Sequence, residues 1–171
     1  MSYNVQNGGN WFCQHKDVPA THILYANSNF GTADESLYND AYATSAHVTV
    51  SSSNDINGTG YSYIMYLFAS CPGVSKVGSY TGTGSAIDVD CGFTAGARWV
   101  MIKRTDGTGD WFIFDTIRGI AAGNDHRLHM NSNGSSDTGT DYIDPLNAGF
   151  TVAAQADVNT NTHEYIYMAI A

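Results

Sequence analysis

Positive charge is scarce in this chain: seven Lys and Arg stand against sixteen Asp and Glu in 171 residues, a formal net charge of −9. Affinity for nucleic acid rests largely on clustered cations that release counterions from phosphates. The one local cluster here is Arg98, Lys103 and Arg104, so no nucleic-acid partner is expected. Glutamate is rarer still, with Glu35 and Glu164 its only occurrences. The remaining acids are Asp, which favours turns over helix interiors, and a helical fold is not expected. Cysteine is limited to Cys13, Cys71 and Cys91, widely spaced and without a C-x-x-C pair. That excludes a zinc ribbon or a disulfide scaffold and predicts reduced, buried thiols in a protein folded inside a cell. The longest apolar run, residues 63–69, is too short to cross a bilayer, so no membrane insertion is expected. Residues 1–10 have neither a basic start nor an apolar centre, and no secretory leader is expected.

What is abundant is turn chemistry. There are 18 Gly, many Ser, Thr, Asn and Asp, and only 13% charged residues, the composition of many short strands joined by tight turns. One domain spanning residues 1–171 is the natural reading at this length.

The chain also repeats itself. Residues 47–69 and 149–171 align without a gap, with seven identities: Thr49/Thr151, Val50/Val152, Asp55/Asp157, Asn57/Asn159, Tyr63/Tyr165, Ile64/Ile166 and Ala69/Ala171. Chance supplies roughly one or two matches, so the pattern reads as an internal duplication. Upstream, WFCQHKD from Trp11 is set against WVMIKRTD from Trp99, and the run from His22 against the run from Trp111. The repeats then cover 11–69 and 99–171, joined by a hairpin over 70–98. Each copy alone has a meagre core, which predicts a shared one. The expected fold is all-β: a single jelly-roll or concanavalin-like β-sandwich of two homologous halves, with at most one or two short helices.

Within this frame, the capping-box spacing of Thr32 and Glu35 predicts a short helix near 33–42. Residues 47–50 alternate like a strand, 51–60 are turn-rich, and 61–69 read as a central strand apolar on both faces. Residues 86–92 alternate strictly, Ile87, Val89 and Cys91 on one face and Asp88 and Asp90 on the other, which predicts one wet side. Strands are further predicted at 99–104, 111–115, 149–154 and 163–170. The second copy carries an additional segment rich in Gly, Asn, Asp and Ser between Asp115 and Gly149, and inserted loops often hold function.

No catalytic pattern emerges. The chain has no G-x-S-x-G elbow, and its Gly-Thr-Gly turns are flanked by strands on both sides rather than opening helices. Asp88 and Asp90 are expected as solvated acids rather than a glycosidase pair. His126 and His129 have zinc-like spacing but no marked third ligand, and the acids from Asp137 to Asp141 lack the spacing of a calcium loop. No enzyme, metal or cofactor is expected. Trp11 and Trp99 read as recurring core plugs. Trp111 lacks an aromatic counterpart in that alignment, which leaves it open between core packing and a stacking surface for sugar.

The motifs GVSKVGSYTGTG at 73–84, CGF at 91–93, RWVMIK at 98–103, WFIFD at 111–115, RG at 118–119 and YIYMA at 165–169 run in order through the second copy. In this combination the chain resembles a repeat domain of tailed-phage virion proteins, of the kind found at the ends of tail fibres in marine and cyanobacterial phages. The first copy departs from it by lacking the Arg118-Gly119 pair. The resemblance implies a β-sandwich module assembled in the host cytoplasm and displayed on a virion, a homotrimer like most fibres, that adheres to a host-surface glycan or protein receptor. The alternative is a structural head or tail decoration protein that binds other virion subunits. On the adhesion reading the polar segment 123–141 makes the contact, through His126, Arg127, His129, Asn131 and Asn133, with Trp111 as the stacking ring. Arg118 is expected to pair with Asp115.

Overall fold

The computed structural model describes residues 1–6 and 8–171. Strands β1 (Ser2–Asn4), β2 (Phe12–Cys13), β3 (His22–Tyr25) and β4 (Ala33–Asp34) precede the one-turn helix α1 (Asn54–Asn57) and β5 (Tyr63–Met65). The middle of the chain gives β6 (Ser75–Thr81) and β7 (Ile87–Asp90). Then follow β8 (Trp99–Arg104), β9 (Trp111–Asp115), β10 (Asp125–His129), β11 (Asp137–Thr140), β12 (Ile143–Leu146), β13 (Gly149–Val152), α2 (Ala156–Asn159) and β14 (Glu164–Ile170).

The described strands form three antiparallel sheets, ordered β4-β3-β2-β1-β5, β11-β10-β9-β8-β14-β6 and β12-β13-β7. Among the described residues the fold is mostly β with two short helices, but it is not the single closed jelly-roll or concanavalin-like sandwich expected. The reason lies in the six-stranded sheet, whose central strands β8, β9 and β14 are apolar on both faces and need a layer on each side. Val100, Ile102, Phe112, Phe114, Tyr165 and Tyr167 pack on one side with Val89, Phe150 and Val152 of the three-stranded sheet. Met101, Trp111, Ile166 and Met168 pack on the other with Cys13 and Leu24 of the five-stranded sheet. A third cluster, Phe12, Ile23, Leu37, Tyr38 and Ile56, covers the outer face of that five-stranded sheet.

The pairings reveal a repeat in space. Trp11 N–H donates to Asn27 Oδ1 at 3.0 Å, and Trp111 N–H to Asn131 Oδ1 at 2.8 Å. Ala26 N–H donates to the Trp11 carbonyl at 2.8 Å, and Met130 N–H to the Trp111 carbonyl at 2.9 Å. Val5 N–H reaches Ser62 O as Thr105 N–H reaches Glu164 O, both at 2.9 Å. The hydroxyl of Tyr63 accepts from Gly58 N at 2.8 Å and donates to Asn54 O, and that of Tyr165 accepts from Thr160 N at 3.0 Å and donates to Ala156 O. Strands β1 to β5 therefore match β8, β9, β10, β11 and β14, in the same sheet order.

This register corrects the upstream alignment: Trp11 corresponds to Trp111, not Trp99, and the first unit begins with β1 rather than at residue 11, while the second begins with β8 at Trp99. A shift of one whole strand sets Trp against Trp either way, which is why the sequence misplaced it. The stretch 70–98 is no hairpin, since β6 pairs with β14 and β7 with β13, in different sheets. Nor is there a helix at 33–42. Glu35 binds the hydroxyl of Tyr25 instead of closing a capping box, and Asn39 and Asp40 sit at φ 51° and 51°, left-handed values that break a helix and that these side chains tolerate.

The first copy is the less complete one. Where β14 runs seven residues between β8 and β6, β5 runs three and lies at a sheet edge. Residues 47–50, expected as a strand, are not one, whereas their counterpart β13 is held between β12 and β7. Of the neighbours the first copy lacks, β6 and β7 come from the single segment that joins the copies, and the third, β12, has its match at residues 41–44, which form no strand.

Candidate functional site

The segment 123–141 is not a loop but the hairpin β10–β11, and most of the expected contact residues are spent on holding it. The Arg127 guanidinium lies over Phe112 at 4.5 Å and Tyr142 at 4.2 Å from the ring centroids, and its terminal nitrogens reach Asp157 at 2.6 Å and Asp137 at 3.2 Å. Its stacked, ion-paired plane ties β10 to β11 and α2. His129 Nδ1 meets Asp110 Oδ2 at 2.9 Å while its ring edge packs on Phe112. Asn131 accepts from Trp111 N–H and donates to Asp110 Oδ1 at 2.8 Å. Trp111 is 1% exposed and donates through Nε1 to Tyr25 O at 2.9 Å, so it plugs the core shared by the two copies and offers no face to a sugar. Only His126 and Asn133 of the expected set are exposed. In a strand, His126 and His129 point to opposite faces, which parts the zinc-like pair. Among the described residues no three His, Cys, Asp or Glu cluster in a way that could hold a metal. Arg118 does pair with Asp115, whose other oxygen accepts from the N–H groups of Ile117 and Arg118, so the Arg-Gly turn is capped from within.

Three buried polar side chains escaped the sequence reading. Lys103 is 0% exposed, and its Nζ donates to Asn29 O at 3.2 Å and Gly109 O at 2.6 Å, linking a first-copy loop to a second-copy hairpin. Burial lowers its pKa to about 8. Asp125 is 0% exposed and accepts from Tyr142 N at 2.9 Å and Ile143 N at 2.8 Å, and burial raises its pKa despite those donors. Asn159, 1% exposed, accepts from Thr83 N at 2.8 Å and donates to Ser85 O at 2.7 Å and Ala153 O at 3.0 Å. The recurrence of Asn at 57 and 159 was the only sequence trace of it. Lys103 and Asp125 carried no signal beyond a polar residue within or beside a strand. Cys71 is exposed, unlike Cys13 and Cys91 and contrary to expectation, because it lies where the chain turns from β5 into β6.

A cleft of about 550 Å³ opens between the two larger sheets beside β5. Cys13, Met101, Trp111, Ile166 and Met168 contribute to its lining, together with Tyr42 to Ser45 and the stretch from Met65 to Ser70. His15 also lines it; its Nδ1 accepts from Asp17 N at 3.1 Å, its Nε2 is buried without a well-formed hydrogen bond, and burial lowers its pKa to about 4. At the rim Tyr66, Leu67 and Phe68 are 47%, 67% and 52% exposed. Their counterparts Met168, Ala169 and Ile170 lie in β14, the first two buried. Contiguous exposed apolar side chains of this size mark interaction surfaces.

The profile of the family described as a domain of unknown function (DUF7483) matches residues 1–171. The chain belongs to the DUF7483 family. No curated protein and no solved structure matches it significantly. Beside the exposed His126 and Asn133 of the hairpin, this DUF7483 chain presents the apolar rim, the cleft behind it and the open edge of β5.

Proposed function

We propose that the chain is a non-catalytic structural module of a tailed-phage virion, built by tandem duplication, that docks another virion polypeptide along β5 and the adjoining cleft. The observation that carries this is the exposure of Tyr66, Leu67 and Phe68 directly after β5, where the duplicate continues as β14 and buries Met168 and Ala169. Two copies of one strand motif diverge in this way when one has its neighbour within the chain and the other takes its neighbour from outside. The phage context rests on the motif order from GVSKVGSYTGTG to YIYMA. The test is reconstitution with products of the flanking genes, read by light scattering. A defined complex, or a homotrimer, that is lost in the Leu67→Asp/Phe68→Asp variant supports docking at this rim. A chain that stays monomeric with every such partner speaks against it.

Receptor adhesion is the second reading. It keeps the exposed His126 and Asn133 on the β10–β11 hairpin, while Arg127, His129, Asn131 and Trp111 serve the fold. Glycan-array binding lost on Asn133→Ala would favour it over docking.

A further inference from the structure

Two open edges distinguish the first copy from the second, and one segment closes both in the second. Strand β6 pairs with β14 over its whole length, with Tyr80 opposite Tyr165, Gly78 opposite Tyr167 and Lys76 opposite Ala169. Strand β7 pairs with β13, with Val89 opposite Phe150 and Ile87 opposite Val152. The first-copy equivalents of those partners are Tyr63, Met65 and Leu67 on one edge and Val48 and Val50 on the other.

The hydrogen-bonding direction is fixed as well. Met1 and Tyr66 exchange N–H to C=O bonds at 2.9 and 2.8 Å, and Val5 N–H reaches Ser62 O, so Ser62, Ile64 and Tyr66 aim their backbone groups at β1. The groups of Tyr63, Met65 and Leu67 alternate to the other side, where no strand pairs with β5 among the described residues. In β14 the matching residues aim at β6, as His163 O accepting from Gly82 N and Ala171 N donating to Val74 O bracket that edge. Val48 and Val50 are half-buried, while Phe150 and Val152, in the middle strand of the three-stranded sheet, are 0% exposed.

We infer that the first copy is completed by strand addition: a neighbouring polypeptide lends a segment like residues 75–90, pairing antiparallel along β5 and then along residues 47–50. The internal duplicate defines the occupant. It is an extended strand with a small residue opposite Met65, as Gly78 is opposite Tyr167, where an added Cβ would lie 2.7 Å from the ring hydroxyl. A short turn and a second strand with alternating apolar residues follow, as Ile87 and Val89 alternate with Asp88 and Asp90. Backbone bonds along a bare edge supply affinity and the alternate side chains supply register, as in other cases of β-augmentation. The occupant is therefore a partner of β-strand chemistry rather than a small ligand in the cleft. The inference rests on the docking proposed above and specifies its partner.

The test uses the intact chain and a synthetic peptide of residues 74–90 in excess, with amide exchange followed residue by residue by NMR. Binding is expected to slow exchange at Tyr63, Met65 and Leu67 roughly tenfold or more, and to leave Ser62, Ile64 and Tyr66, already bonded to β1, little changed. A peptide N-methylated at Gly78 and Tyr80 is expected to lose binding, while one methylated at Val77 and Ser79, whose N–H groups face outward, keeps it. Because the chain is unaltered, misfolding cannot mimic the result. Protection without alternation, indifference to the methylation pattern, changes at Tyr165 and Tyr167 instead of Tyr63 and Met65, or no binding would overturn strand addition. Failure here with success of the reconstitution above would leave docking standing and remove only the strand. Concentration-dependent protection of β5 without peptide, in a chain of dimeric mass, would name a second copy as the occupant and also overturn the inference.

Discussion

Replacing Asn159 and Asn57 by Ala, one at a time, separates what duplication preserves in sequence from what it preserves in energy. Both residues end the one-turn helix of their copy and are identical. Asn159 is 1% exposed, and its amide takes part in three bonds at 2.7, 2.8 and 3.0 Å. Those bonds anchor the turn after β6 to α2. Asn57 is exposed and its side chain makes no such bonds. Each net hydrogen bond contributes about 1 kcal/mol, and a buried group left without a partner costs about 1–3 kcal/mol. Asn159→Ala removes all three bonds, leaving the Thr83 N–H without its partner while the carbonyls of Ser85 and Ala153 keep one donor each, Thr83 Oγ1 and Gln155 N, so a loss of about 3 kcal/mol is expected. Asn57→Ala should change stability by less than about 0.5 kcal/mol, as surface substitutions do. In urea unfolding, both variants should keep the wild-type m-value while only Asn159→Ala lowers the midpoint. For a chain of this size the melting temperature should fall by about 6–12 °C. Equal effects of the two substitutions, or a larger effect at Asn57, would refute the assignment of the turn after β6 to this amide.

Further outcomes follow from the same geometry. Gly149→Ala places a Cβ 2.1 Å from the Val89 carbonyl, a backbone atom that cannot step aside, so β7 should part from β13 and stability should fall by about 2 kcal/mol or more in urea titration. Arg127→Lys keeps the charge but gives up the planar stack and forked bonding, and should cost about 1–2 kcal/mol in thermal unfolding. The His15 imidazole takes up a proton near its ordinary 6.5 when unfolded but resists until about 4 when folded. Stability should thus be full above pH 6.5 and fall between 6.5 and 4, by up to about 3 kcal/mol, and the His15→Gln variant should lack that component of the slope.

The sequence was most legible where packing on both sides forces a pattern. The strands at 99–104, 111–115 and 163–170 and the wet face of 86–92 appear as expected, because alternation and burial leave them no other arrangement. The candidate site was poorly legible. His126, Arg127, His129, Asn131 and Asn133 stand close together in a polar, Gly-rich stretch, which reads as a displayed loop. Yet the Arg127 guanidinium has Phe112 and Tyr142 as its faces and Asp157 as its partner, all remote in sequence. Polarity within a segment does not reveal whether its partners are solvent or side chains brought in by topology. The apolar rim was missed for the converse reason. Residues 61–69 have the composition of a central strand, and composition carries no information on whether the neighbouring strand is supplied by the same chain.

That asymmetry is also what makes the edge of β5 testable by energy. The Tyr63 and Tyr165 hydroxyls bridge the same two backbone groups of their one-turn helices. Tyr165 is 1% exposed behind β6, whereas Tyr63 is half-buried at an open edge. Water can replace the hydroxyl in a Tyr63→Phe variant but not in Tyr165→Phe, so the expected losses are about 0.5 and about 1–3 kcal/mol. A strand laid along β5 would exclude that water. The cost of Tyr63→Phe should therefore rise toward the cost of Tyr165→Phe when unfolding is measured with the 74–90 peptide bound, after subtracting the binding contribution. If the two costs stay apart in the bound state, the added strand does not sit where β6 sits on its duplicate.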